Sequence, residues 1–392
     1  MSKSRHSATP YYAFIQALYW AVYCLMVGFA SAFLQDKGFT NGQIGLTLGL
    51  SYLFSAVMQP VVGSLFSRGK LKLNYAIAFT YFPVVLISLC ALLLPLGRIE
   101  LMALMAIIFT IQSMMQPSVN TLYRNFETDD KKVNFSLARG VGSAAYALSS
   151  FVMGRLLAWF SPGFIPAVYC TLSIILIAAL FFAPTTEDVN EAGTIKQSGS
   201  YAEIVKRYPM ILLFLLGTGC MYLTYSFIDN FMLQILQTIG GTRSDLGMAI
   251  TISAMMELPA MVLYSRFSEE KGIKIFILSI WIWLAKDILT LLAPTPHVLF
   301  AVQLLNFASG ALYTPGMMQY MRRILPADEL LRGVTMACTS ITLGGLIATI
   351  LGGQMMDLNG IRPSLMVAEL FAVCGTVLLT ISLGHALKHT TA

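Results

Sequence analysis

Arg139 stands about one turn inside the basic end of Asn134–Gly154, an apolar stretch of helix length. A guanidinium keeps its charge, and seating one within a bilayer costs roughly 3 kcal/mol or more unless it finds a partner or water. Seven residues on, two helical turns along the same face, comes Tyr146, with Gly142 between them leaving room for something to approach. A cation and an aromatic ring on one face can grip a polar ligand that has one flat apolar side. A snorkelling arginine and a packing tyrosine would give the same pattern, so the neighbouring residues decide.

Other polar side chains recur at helical spacing inside apolar runs. They are Tyr12, Gln16, Tyr19 and Tyr23; Gln112, Gln116 and Asn120; Arg139, Gly142, Tyr146 and Ser149; Tyr222, Ser226 and Asp229; Ser253 and Glu257; and Gln303, Asn306, Ser309 and Tyr313. In hydrocarbon a polar side chain must face protein or a watery cavity. One stripe alone is explained by hydrogen bonds between helices, but stripes in both halves of the chain fit a shared cavity better. The charges Asp229, Glu257, Lys286, Asp287 and Glu369 lie in or near the middle of apolar runs in the second half. Lys286 with one of the acids reads as an ion pair, Glu257 as functional, and Asp287 and Glu369 as structural. A carboxylate whose protonation follows its pairing is what a proton-coupled carrier needs. Arg155 reads as a snorkelling residue.

The elements that must position these groups follow from composition. The chain has 392 residues, 57% hydrophobic and 11% charged, with a mean hydropathy of +0.72. A soluble domain carries roughly a quarter charged residues, so this reads as an integral membrane protein, and its long apolar runs favour helices over a barrel. Twelve spans are expected. They are Tyr11–Leu34, Gly42–Phe66, Leu73–Pro95, Leu101–Leu122, Ala138–Phe160, Phe164–Ala183, Met210–Leu236, Leu246–Phe267, Ile273–Ala293, Val298–Tyr320, Gly333–Met355 and Pro363–Leu383. The first is read as a retained span and not a cleaved leader. The polar stretch Pro184–Tyr208 divides the chain into residues 1–183, a linker 184–208 and residues 209–392.

Most of the 25 basic residues fall in the tails, the linker and alternate loops, leaving Lys37, Arg98, Arg243 and Arg362 in the opposite loops. The positive-inside rule then puts both termini and the linker in the cytoplasm. This topology accounts for the net charge of +6, and no nucleic acid is invoked. The six cysteines (Cys24, Cys90, Cys170, Cys220, Cys338, Cys374) sit singly in apolar runs, without metal-ligand spacing. The chain carries no HExxH or GxSxG set, and its four histidines (His6, His297, His385, His389) lie in tails or loops, which argues against a membrane enzyme. The linker is too short for a signalling domain, which argues against a sensor or scaffold.

Two hairpins, Gly63–Lys72 and Tyr264–Lys274, sit at matching places in the two halves. They resemble the G-x-x-x-D-R/K-x-G-R/K-K/R loop of the major facilitator superfamily, with Ser67 where the acid usually stands. Ser55–Gly63 (SAVMQPVVG) looks like the S-x-x-x-Q-P-x-x-G of the lactose permease or oligosaccharide:proton symporter family within that superfamily. Phe135–Gly142 (FSLARGVG) looks like its F-G-x-A-R-x-x-G. The resemblance implies two pseudo-symmetric six-helix bundles working by alternating access. It places Arg139 on the family's sugar-binding arginine, Tyr146 on the tryptophan that stacks on the sugar, and Glu257 on the acid that binds hydroxyls and is linked to proton movement. Lys286 falls on the span-nine arginine, and Asp229 on a span-seven acid. This chain departs from the pattern at Asn120, Asn306, Ser309, Ser226 and Gln303, each of which replaces a charged or titrating family residue.

The expectation is therefore an inner-membrane permease that works as a monomer and imports a sugar or oligosaccharide with a proton, with no other cofactor. Arg139, Asn120, Gln116, Tyr146, Asn306 and Glu257 would bind the substrate, and Asp229 with Lys286 would form a charge pair. An organic or aromatic acid or a nucleoside as substrate, or uncoupled facilitation, remains the alternative.

Overall fold

An apolar run of about 20 residues satisfies its backbone inside a membrane only by coiling. The computed structural model describes residues 9–68, 72–127, 133–185, 201–264 and 266–388, and every regular element among them is helical. Helices α1 (Thr9–Tyr23) and α2 (Ala30–Asp36) are joined by a π-helical turn, Cys24–Gly28. They are followed by α3 (Asn41–Arg68), α4 (Leu73–Leu93), α5 (Arg98–Met114), α6 (Gln116–Thr121), α7 (Phe135–Leu156) and α8 (Ile165–Phe181). After α9 (Tyr201–Arg207) come α10 (Pro209–Asn230), α11 (Met232–Thr238), α12 (Arg243–Tyr264) and α13 (Glu269–Leu292). The last are α14 (Pro296–Gln303), α15 (Tyr313–Ile324), α16 (Ala327–Asn359) and α17 (Ile361–Lys388).

Among the described residues, 11 helical segments are long and apolar enough to cross a membrane. The one expected span outside that set is the fifth, which carries Arg139. Its helix α7 has 22 residues, enough length to cross, but Gly, Ser and two arginines dilute its apolar character. The expected linker and the first matching hairpin lie largely or partly outside the described residues.

The chain forms two compact units, one of Met1–Phe39 with Leu50–Lys196, the other of Thr40–Gly49 with Gln197–Ala392. In the first, α1 packs on α7 and α8, and α4 packs on α8. In the second, α10 packs on α16 and α17, and α13 packs on α17. The α10–α17 contact is close because both faces are glycine: a methyl group at Gly217 would lie 3.0 Å from the Gly375 carbonyl oxygen. The core of this unit includes Phe214, Met221, Trp283, Tyr313, Tyr320 and Leu379, with Phe214 stacked on Tyr320 at 4.3 Å. The segment Thr40–Gly49 is held by Asp357 near the end of α16, whose carboxylate accepts from the Asn41 N–H at 3.0 Å and the Gly42 N–H at 2.8 Å. Those amides open α3, so the aspartate caps a helix far away in sequence.

Four spans are interrupted, and they fall at matching places in the two halves. In span one the helix breaks at Phe29 (φ −117°, ψ 13°), and in span seven at Phe231 (φ −111°, ψ 20°). Span four breaks at Met115 and ends in a 3₁₀ turn, Leu122–Phe126; span ten is broken by 3₁₀ turns at Leu304–Ala308 and Gly310–Leu312. Irregular backbone at membrane depth persists only where it lines a cavity or is buried in protein, and paired breaks in two halves are the usual mark of a carrier's binding region.

Candidate functional site

The interrupted spans carry most of the polar stripes, and in the first unit these form one network. Residues 12, 16, 20 and 23 lie on one face of α1. Tyr12 donates to the Asn120 carbonyl oxygen at 3.1 Å, and Gln16 Nε2 donates to the Tyr12 hydroxyl at 2.6 Å and to Asn120 Oδ1 at 3.3 Å. The other end of the Gln16 amide accepts from Trp20 Nε1 at 3.0 Å. The indole thus held has the Arg139 guanidinium over its ring at 3.8 Å, and Arg139 Nη1 donates to Ser143 Oγ at 2.7 Å. Tyr146 meets the edge of Trp20 at 6.3 Å and lies 6.5 Å from Tyr23. Asn120, Arg139 and Tyr146 are therefore brought together through Gln16 and Trp20. Gln116 does not join them.

Two sequence expectations change here. The room read beside Gly142 is taken by Trp20: a methyl group at Gly142 would lie 2.5 Å from Trp20 Cδ1. Glycine is there to admit the indole. Trp20 itself was missed, although it stands four residues after Gln16 on the same stripe. Gln112 and Tyr19, read as part of a polar pathway, are fully covered. Gln112 Oε1 accepts from Tyr81 and Tyr169, each at 3.1 Å, while its carbonyl accepts from Tyr19 at 3.0 Å. That end of the stripe ties helices together. Arg155 is exposed and lies 5.4 Å from the Phe151 ring.

The second unit holds a charged network. Lys286 on α13 is 4% exposed and donates to Asn306 Oδ1 at 3.4 Å, and Asn306 Nδ2 donates to the Ser253 carbonyl at 3.1 Å. Glu257 follows Ser253 by one turn of α12 and is half-buried. Among the described residues Lys286 makes no direct ion pair with Asp229. Asp229, Asp287 and Glu257 are near enough to act on its charge, and Asp229 remains accessible. Tyr222, Tyr225, Trp283 and Tyr313 pack edge to face beside them, at 4.9 to 6.0 Å. No group of three or more metal-ligating side chains occurs among the described residues.

The sequence model of the MFS_1 like family matches residues 11–366. An uncharacterized transporter of Bacillus subtilis (strain 168), YwbF, is 21% identical over 345 residues, covering 87% of this chain and 84% of that protein. The fold is similar to the crystal structure of the nucleoside transporter NupG, with a TM-score of 0.78 at 14% identity over 95% of this chain and 98% of that one. It is also similar to a point mutant of the peptide transporter POT, at 0.74 and 10% over 96% and 94%. A bacterial homolog of the human lysosomal transporter Spinster gives 0.69 and 14% over 99% of both chains. Family and relative are transporters, so this is a multi-pass membrane transporter and not an enzyme. The chain belongs to the MFS_1 like family, with the fold of the major facilitator transporters.

Proposed function

We propose that this protein imports a sugar or short oligosaccharide across a cytoplasmic membrane by proton symport, using alternating access. The observation that supports this most is the network in the first unit, in which a guanidinium lies over an indole ring at 3.8 Å and the indole is itself held by a glutamine amide. A guanidinium attracted to an aromatic ring keeps its fork of N–H donors, one of which goes to Ser143. Such a group offers hydroxyls a forked set of donors. Asn120 adds an amide, and the half-buried Tyr146 offers a ring for the apolar face of a pyranose. In the second unit, Glu257, one turn of α12 beyond the Ser253 carbonyl that Asn306 binds, is the group best suited to accept hydrogen bonds from hydroxyls. Lys286, set among acids, supports a coupling role through charge rearrangement.

A nucleoside is the second reading. It is favoured by the three clustered rings Trp20, Tyr23 and Tyr146, which suit a planar base, and NupG, a structural neighbour, is a nucleoside transporter.

Uptake of radiolabelled sugars and nucleosides into proteoliposomes tests both readings. An acid exterior is expected to drive accumulation of one sugar above its external concentration, and a protonophore to abolish it. Saturable uptake that ignores the pH gradient would leave a facilitator, and accumulation of nucleosides alone would exchange the two substrates.

A further inference from the structure

Asp287 on α13 enters the networks described above only through its charge beside Lys286, and Glu369 on α17 takes no part in them. They are 2% and 6% exposed. Asp287 Oδ2 and both carboxylate oxygens of Glu369 have no hydrogen-bond partner among the described residues. Helices α13 and α17 pack together, and Leu284 on the first shares an apolar cluster with Ala372 on the second. These two spans run in opposite directions. One turn forward from Leu284 and one turn back from Ala372 therefore lead the same way out of the cluster, to Asp287 and to Glu369. The two carboxyls are close enough for their charges to act on each other.

Titratable groups on several elements face Lys286 and its neighbours. On α13, Lys286 acts on Asp287. From α10 come Asp229, Tyr222 and Tyr225, from α12 Glu257, and from the start of α15 Tyr313, whose hydroxyl is hydrogen-bonded to Thr218 at 2.7 Å. His297 opens α14 at an exposed position. One lysine thus faces three carboxyl groups, Asp229, Glu257 and Asp287, with Glu369 beside the last of them. A buried ion left without a hydrogen-bonding partner costs several kcal/mol, and two carboxylates that share a site do not both ionise. One proton answers both problems: it bonds to an oxygen of one carboxyl and is donated to an oxygen of the other, leaving a single negative charge facing Lys286.

We propose that Asp287 and Glu369 hold one exchangeable proton between them. That this is the proton carried in transport rests on the symport reading above. Infrared difference spectroscopy of the purified full-length protein reads the proton directly and needs no substrate. Titrated from about pH 5 to about pH 10, the wild type is expected to show a protonated-carboxyl band that fades as the pH rises. Asp287→Asn and Glu369→Gln are each expected to remove that band or move its midpoint by about one pH unit or more, whereas Glu100→Gln, at an exposed position in the first unit, should leave it in place. Absence of a titrating band in the wild type would overturn the proposal, and this holds even if a variant fails to fold. Wild-type titration in both variants would also overturn it, as would loss of the band on adding sodium ions at constant pH, which would mean that an alkali cation occupies the site. Failure of the symport reading would appear separately, as proteoliposome uptake that ignores the pH gradient while the band still titrates.

Discussion

The Arg139 guanidinium lies over the Trp20 ring at 3.8 Å and donates to Ser143 at 2.7 Å, contacts that a lysine cannot reproduce together. Arg139→Lys keeps the charge and loses the forked donors. Hydrogen bonds to charged groups are worth about 1.5–3 kcal/mol, so solute affinity is expected to fall about tenfold or more while the melting temperature in detergent changes little. Gln16 is a different case. It is buried and links Trp20, Tyr12 and Asn120. Gln16→Ala strands those partners and is expected to lower stability by about 1–3 kcal/mol, visible in a thermal melt without any solute. Arg139, Asn120 and Tyr146 were legible in the sequence because charge, amide and ring stand out inside apolar runs. Trp20 was not, because an indole in an apolar run looks like packing until its Nε1 partner is seen. The Asp229–Lys286 pairing was read from charge alone, and charge does not say that Asn306 Oδ1 lies within reach of the ammonium.

Gly142 shows how an element sets the site. It lets α7 approach α1 closely enough for the indole to fill the gap, so Gly142→Ala is expected to cost about 1–3 kcal/mol by overpacking. The same change pushes Trp20 away from Arg139. Stability and affinity should therefore drop together, whereas Arg139→Lys should lower affinity alone; melting curves and binding isotherms on the two variants separate the effects. Asp357 acts at a helix end. Its carboxylate takes two N–H groups that α3 cannot pair internally, and Asp357→Ala is expected to destabilise by about 1 kcal/mol, measured as a lower melting temperature. Helix positions were legible because hydropathy and length fix a span. The breaks in spans one, four, seven and ten were not. Pro117 stands just after the break at Met115 and Gly310 within that of span ten, whereas Phe29 and Phe231 are not breakers themselves. The one span outside the hydropathy-defined set, α7, is the one that bears Arg139, and its glycines, serines and two arginines keep it below that criterion.

At the scale of the molecule, the two units carry different chemistry: an aromatic and amide network around one arginine in the first, and a cluster of acids around one lysine in the second. The family and the major facilitator fold were legible from the spans, the paired loops and the Phe135–Gly142 motif. The sequence resemblance did not fix the substrate, because Asn120, Asn306 and Ser309 depart from the pattern that would have named it. The central claim is that the Arg139–Trp20 network recognises the solute. It is tested most directly by thermal-shift measurements on purified wild type and Arg139→Lys against one panel of sugars and nucleosides. At least one compound is expected to raise the melting temperature of the wild type and to leave the variant unchanged at the same concentration. An equal rise in both proteins would contradict the account.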